Sequence, residues 1–218
     1  MIMNARSTFL LLSFITIFFL SCKKENKDYR LFGVVYGAHN SAYLSGVNVA
    51  VKKQVVASGT YNNSFTTATS MVTSDDGEYA LAWPRENFAA LQLVCTKDQY
   101  ITTTQDLDIG NFTTENFVNS NIAMHPESFI SVHVNNVGAS SPDDFFRYVF
   151  INAEFDCTCC DNDWREFDGT IDSTYQCRLY GDTWLKYVGE IITADLDTII
   201  QDSIWCPAFS TVQLEFEY

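Results

Sequence analysis

Three cysteines fall within four residues, Cys157-Thr158-Cys159-Cys160, and Cys177 and Cys206 follow in the same half of the chain. Thiols this close together can hold a soft metal, cycle as a redox pair, or be oxidised to structural disulfides. A zinc ribbon needs two Cys-x-x-Cys knuckles, and a mixed site needs a histidine shortly after the cysteines; the sequence offers neither. Cys157 and Cys160 do have Cys-x-x-Cys spacing, but without the strand–helix–strand surroundings of a redox motif. The preferred expectation is disulfides, joining two of Cys157, Cys159 and Cys160 to Cys177 and Cys206. Which two is left open, although a bridge between the adjacent Cys159 and Cys160 would strain the peptide between them. No metal ligand is assigned.

Seven carboxylates surround that cluster: Glu154, Asp156, Asp161, Asp163, Glu166, Asp168 and Asp172. Oxygen-rich loops suit Ca²⁺, but here Arg165 stands at a ligand position and Glu166 where a calcium-binding loop needs glycine. The segment is read as a solvated acidic loop; no cofactor is expected, with Ca²⁺ the single cation its oxygens would suit. Trp164 lies inside it, and Trp184 follows Gly181-Asp182. Flat indole rings match sugar faces, so Trp164 with Asp161, Asp163 and Asp168 forms the candidate binding set, Trp184 supplying a second ring. Core packing is the alternative role for both tryptophans.

Hydrolytic chemistry finds little support. The three histidines, His39, His125 and His133, lie in no Gly-x-Ser-x-Gly or His-Glu-x-x-His context, and Asp75-Asp76 and Asp143-Asp144 occupy turn-like segments. No enzyme is expected, and an exported hydrolase using the acidic loop is the alternative.

The elements that must position these residues are strands. The chain has 218 residues, 47% hydrophobic and 15% aromatic, enough to build packed cores. From Tyr29 onward apolar and polar residues alternate in short runs, the period of half-buried strands. Phe32, Val34 and Tyr36 share one face of a first strand; Val47, Val49 and Val51 share one of a second; Tyr79, Leu81 and Trp83 follow a Ser74-Asp75-Asp76-Gly77-Glu78 turn. Further strands are expected at Thr66 to Ser74, Ala89 to Cys95, Tyr100 to Asp106 and Asn121 to Met124. After Pro126 they are expected from Phe129, over Phe145 to Phe155, Tyr175 to Tyr180, Trp184 to Ile192, Thr198 to Trp205 and Val212 to Tyr218. The fold class expected is all-β, two consecutive β-sandwich domains.

The formal charge is −14, from 13 Lys+Arg against 27 Asp+Glu. Such acidity repels phosphate backbones and excludes nucleic acid as a partner. It is also uneven: residues 30–124 carry 5 basic and 8 acidic residues, whereas residues 126–218 carry 4 and 17.

The N-terminus has a short start bearing Arg6, a 12-residue apolar run from Phe9 to Leu20, and Ser21-Cys22-Lys23-Lys24. Twelve apolar residues are too few to span a bilayer and read as a secretory signal. Phe19-Leu20-Ser21-Cys22 resembles the bacterial lipoprotein signal, in which the cysteine thiol receives a diacylglycerol and becomes the new N-terminus after cleavage. Phe19 stands where that signal usually has Leu or Val. Residues 1–21 are thus expected as signal peptide and 22–28 as a lipidated tether. Lys23 in place of Asp resembles the pattern that releases lipoproteins to the outer membrane, and Cys22-Lys-Lys-Glu-Asn-Lys-Asp28 the charged tether of surface-exposed Bacteroidetes lipoproteins. The resemblance implies a lipid-anchored outer-membrane protein, palmitate-bearing, facing the periplasm or the cell surface, its partners being the membrane and an envelope protein or glycan.

Gly33-Val34-Val35-Tyr36, Leu44-Ser45-Gly46-Val47-Asn48-Val49, Thr73-Ser74-Asp75-Asp76-Gly77-Glu78-Tyr79 and Ile122-Ala123-Met124-His125-Pro126 resemble the carboxypeptidase regulatory-like domain. That family is a seven-stranded, transthyretin-like (Ig-like) sandwich, and the resemblance covers residues 29–126. Gln99-Tyr100 stands where the family usually has Gly-Tyr, so a different turn is expected there. Residues 127–218 are expected to form a second, acidic, Cys-rich sandwich. The function expected is a noncatalytic binding or structural module at the cell envelope, the alternative a carbohydrate-binding accessory protein of a nutrient-uptake system.

Overall fold

The structure, a computed structural model, describes residues 28–57, 60–61, 64–113, 117–137, 141, 143–151, 160 and 162–218. Apart from the three-residue 3₁₀ turn Ile109–Asn111, the regular structure of the described residues is all strand.

The first sandwich packs two sheets. In one, β1 (Asp28–Gly37) lies antiparallel to β5 (Glu78–Pro84) and parallel to both β8 (Phe117–Asn119) and β9 (Ile122–Met124). In the other, β2 (Asn48–Ala57) is flanked on one side by β4 (Thr66–Val72) with the two-residue β3 (Thr60–Tyr61), and on the other by β6 (Phe88–Thr96), which carries β7 (Thr103–Leu107) at the edge. Alternation sets the core: Val47, Val49 and Val51 from the second sheet meet Tyr79, Leu81 and Trp83 from the first, all buried. On β1 the inward series is Tyr29, Leu31 and Val35, so Phe32, Val34 and Tyr36 form the outer face. Gly77, at φ +70°, closes the Asp75-Asp76-Gly77 turn in the left-handed conformation that glycine adopts without penalty.

The second sandwich repeats this plan strand for strand. β10 (Glu127–Asn135) lies antiparallel to β13 (Asp172–Tyr180) and parallel to the last strand, β16 (Thr211–Glu217). The opposing sheet runs β12 (Arg165–Asp168), β11 (Phe145–Phe150), β14 (Thr183–Ile192), β15 (Asp197–Cys206). Each sandwich thus opens with a strand held between its own fourth main strand and its own last one. The second core is more aromatic, with Phe146, Tyr148, Phe150, Phe167 and Phe216 in one cluster. Burying each such side chain contributes roughly 1.5–3 kcal/mol.

The short strands β3 and β8 lie outside the expected ones, and one further element reverses an expectation. Arg165–Asp168, read as part of a solvated loop, is an edge strand registered on β11. Phe167 explains it: its ring is buried against Phe146 and Tyr148, with centroids 6.0 and 6.1 Å away. Charged neighbours on both sides hid a single inward-facing aromatic.

The sandwiches meet at His125-Pro126, the two residues between β9 and β10. This link is gripped from both sides, since the Ile101 N–H donates to the His125 carbonyl (2.9 Å) and Gly181 N–H to that of Pro126 (2.7 Å). Glu127 N–H donates to the Gln99 carbonyl (2.9 Å), and the Tyr100 and Phe209 rings meet at 5.4 Å. Gln99 itself sits at φ +62°, a left-handed backbone on a residue with a β-carbon, at this contact.

Candidate functional site

The outer face of the β12-β11-β14-β15 sheet carries the exposed tryptophans of the second sandwich. Strand alternation turns Leu185, Tyr187 and Ile191 of β14 inward, which leaves Trp184, Lys186, Val188, Glu190 and Ile192 outward. Register then sets Trp205 opposite Trp184, Ser203 opposite Lys186 and Gln201 opposite Val188. Trp184 and Trp205 are 56% and 40% exposed, with ring centroids 5.6 Å apart and planes inclined at 57°. Two indoles so inclined form an open wedge whose inner faces are apolar, beside the ammonium, hydroxyl and amide groups of the next two rows.

Arg147 of β11 organises the other side of this face. Its Nε donates to Glu190, its Nη1 lies 3.5 Å from Glu166 Oε1, and its guanidinium carbon stands 4.5 Å from the centre of the Trp164 ring. A cation held by two carboxylates and an indole face is ordered, and it orders Trp164 in turn. Trp164 and Trp184 therefore have different partners, one on the β12 side of the sheet and the other on β14, with β11 between them. The sequence alone does not single out Trp205 and Arg147, because their relation to the named tryptophans depends on strand register.

Asp163 and Asp168 are exposed, and Asp161 lies outside the described residues. Among the described residues no group of three or more His, Cys, Asp or Glu side chains is arranged to hold a metal ion. The aspartates of the suspected carboxylate pairs are capping groups where they are buried: Asp144 Oδ2 accepts from Ser141 N–H (2.9 Å) and Asn136 Nδ2 (3.2 Å).

Cys160 and Cys177 form a disulfide with Cα atoms 5.4 Å apart. It fastens the chain just before β12 to the middle of β13, joining the two sheets. Cys206, expected among the bridged cysteines, is instead a buried thiol. The inward phase of β15 at its last residue places it in the core. Burial pushes its pKa up to about 11, against hydrogen bonding to the Leu185 backbone, and pushes that of Cys95 up to about 12. Both are protonated, unreactive groups at neutral pH. Cys157 and Cys159 lie outside the described residues, as does Cys22.

The histidines divide. His133 Nε2 pairs with Asp172 Oδ1 at 2.9 Å across β10 and β13. His39 and His125, 86 positions apart, meet at the junction of the sandwiches with Nε2 and Nδ1 3.3 Å apart.

No protein-family model matches the chain, and no curated protein does. Solved structures similar to it include a shaft pilin, SpaA, from Lactobacillus rhamnosus GG (11% identity, TM-score 0.32, covering 87% of this chain and 98% of that one). The minor pilin GBS52 of Streptococcus agalactiae is similar at 11% identity and TM-score 0.31, covering 87% and 94%. The Bacillus anthracis TIE protein is similar at 9% identity and TM-score 0.34 over 87% of this chain, which spans about a third (34%) of that protein's length. The β-sandwich assignment rests on the strand pairing described above.

Proposed function

We propose that the chain is an exported lipoprotein, anchored through Cys22 to the outer membrane and facing the periplasm or the cell surface, that acts as a noncatalytic binding or structural module. The apolar run Phe9 to Leu20 followed by Ser21-Cys22 supports the anchor. β1 begins at Asp28, six residues after Cys22, a tether reaching roughly 20 Å at most, so the first sandwich stays close to the lipid surface. The observation that carries the binding role is the outer face of the second sandwich, where Trp184, Trp205 and Ile199 on the sheet and Trp164 just before β12 are 56, 40, 61 and 43% exposed. Exposed apolar groups clustered on one face mark interaction surfaces.

The intact-cell test is crosslinking followed by partner identification, run on wild type and on Trp184→Ala/Trp205→Ala. Labelling with radioactive palmitate tests the anchor: Cys22→Ala abolishes incorporation if the reading is right, and unchanged incorporation sinks it. Loss of a specific crosslinked partner in the double variant supports the binding face, and an unchanged partner set sinks it.

The Trp184–Trp205 wedge specifically favours a carbohydrate partner as second reading, with Lys186, Ser203 and Gln201 placed to bond hydroxyls. Binding to a glycan array by wild type and not by the double variant supports it, whereas silence of the wild type excludes it. Turnover of any glycan or peptide substrate would replace both readings with a hydrolase.

A further inference from the structure

We infer that His39 and His125 form a two-nitrogen chelate for a divalent transition-metal ion, Cu²⁺, Ni²⁺ or Zn²⁺, at the junction of the two sandwiches. The pair follows from topology. β1 and β9 run parallel, so both leave their sheet at the same end and side by side, with Gly37 registered on Met124. Ala38 N–H then donates to the Met124 carbonyl at 3.0 Å, which holds the two chains together for one further step before each presents a histidine.

Both imidazoles are oriented by their surroundings. His39 sits in a closed turn in which Ser41 N–H donates to the Gly37 carbonyl (2.9 Å), Gly37 N–H to that of Ala42 (2.8 Å), and Ala42 N–H to Asn40 Oδ1 (3.0 Å). His125 has its carbonyl bonded to Ile101 N–H, and the following Pro126 restricts its backbone. Its ring lies flat on Tyr180 of β13, with centroids 4.2 Å apart and an interplanar angle of 11°. The His39 ring meets it nearly edge-on, at 5.2 Å and 70°.

The decisive quantity is the separation of 3.3 Å between His39 Nε2 and His125 Nδ1. Two metal–nitrogen bonds of about 2.05 Å at a tetrahedral angle place their nitrogens about 3.3 Å apart, so the spacing already fits a chelate and the rings need only turn from facing each other to facing a common point. Without metal one ring donates a proton to the other across this gap. With metal the donor ring carries that proton on its other nitrogen, so both lone pairs face the ion and no proton is lost from the neutral pair.

Imidazole nitrogen selects Cu²⁺, Ni²⁺ and Zn²⁺ over Mg²⁺ and Ca²⁺. No third His, Cys, Asp or Glu joins the pair among the described residues, so water completes the coordination and the ion exchanges freely. A recess of ≈ 470 Å³ lined by Thr102, Thr104, Ala123, His125 and Tyr180 lies beside the pair and gives solvent and small anions access. The bound ion links the His39 turn of the first sandwich to the junction that carries the second.

The test is titration of the full chain with Cu²⁺, Ni²⁺ and Zn²⁺, with Ca²⁺ and Mg²⁺ as controls, by calorimetry and by electron paramagnetic resonance for Cu²⁺. Expected are one saturable site, strongest for Cu²⁺, silent for Ca²⁺ and Mg²⁺, and a two-nitrogen Cu²⁺ spectrum. His39→Gln and His125→Gln should each weaken binding at least tenfold, and His133→Gln should leave it unchanged. His39 is exposed, so its variant is expected to fold; protection of both histidines from diethylpyrocarbonate by Zn²⁺ reports on the unmodified chain. Absence of saturable binding, binding unchanged in His39→Gln and His125→Gln, or weakening in only one of them overturns the chelate.

Discussion

The Ser120 carbonyl fills the space that a side chain on Gly33 would need: a β-carbon built there would lie 1.9 Å from the Ser120 oxygen. The last strand of the first sandwich is interrupted at this point, and its backbone bulges over Gly33 of β1 between β8 and β9. The bulge is fastened on both sides. Ser120 N–H donates to the Phe32 carbonyl (2.9 Å), and the Tyr79 hydroxyl donates to the Ser120 carbonyl (2.5 Å). Gly33→Ala is therefore expected to cost roughly 3 kcal/mol or more, read as a lower urea midpoint, since backbone rather than a flexible side chain must move. A loss under about 1 kcal/mol would show that the bulge can slide aside.

Gln99 is expected to behave in the opposite way. At φ +62° a residue with a β-carbon pays about 1–2 kcal/mol relative to its preferred backbone, and glycine does not. Gln99→Gly should stabilise the chain by about 0.5–1 kcal/mol once the extra freedom of glycine in the unfolded chain is deducted. Thermal unfolding followed by circular dichroism checks the sign.

Reduction acts on one sandwich. Cys160 and Cys177 enclose a loop of 17 residues, for which cross-linking contributes roughly 3 kcal/mol by restricting the unfolded chain. Cys160→Ser should lower the transition of the second sandwich by that amount and leave the first unchanged. Calorimetry that resolves two transitions decides this; equal movement of both would mean that the sandwiches unfold as one unit.

Alkali should act on both cores. Burial raises Cys95 to about 12 and Cys206 to about 11, from an ordinary value of 9.0, and burial followed by the neighbouring Cys95 raises the Tyr79 phenol. A raised pKa means that the folded state holds the proton more tightly. The stabilisation is complete below pH 9 and is lost as pH rises through 11 and 12. Denaturant midpoints should be level from pH 7 to 8.5 and then fall, and Cys206→Ala should soften the fall for the second sandwich only.

Much of the architecture is legible residue by residue. Val47, Val49 and Val51, or Leu214 and Phe216 between Gln213, Glu215 and Glu217, announce both strand and buried face, because a two-residue period has one physical cause. The turn at Gly77 is equally local. Pairing is another matter, since it is decided between residues far apart. That β10 repeats the neighbours of β1, that Trp184 stands opposite Trp205, and that His39 meets His125 are consequences of register, and no single segment carries them. β12 was hidden by composition: four residues with one buried Phe167 among charges look like loop until β11 supplies the partner. The disulfide needed the same information, and Cys206 lies inside the core rather than beside the loop cysteines because of the phase of β15.

In both sandwiches the first strand runs parallel to the last, β1 beside β9 and β10 beside β16. The chain enters each sandwich at one end and leaves at the other, and the two are strung in series through His125-Pro126. Tension applied between the start of β1 and the end of β16 would pull each of these pairs along its own length. Their hydrogen bonds would be loaded together in shear, not opened one after another as in a peeled hairpin. A tandem built this way resists extension along its axis, a mechanical property set by strand order alone.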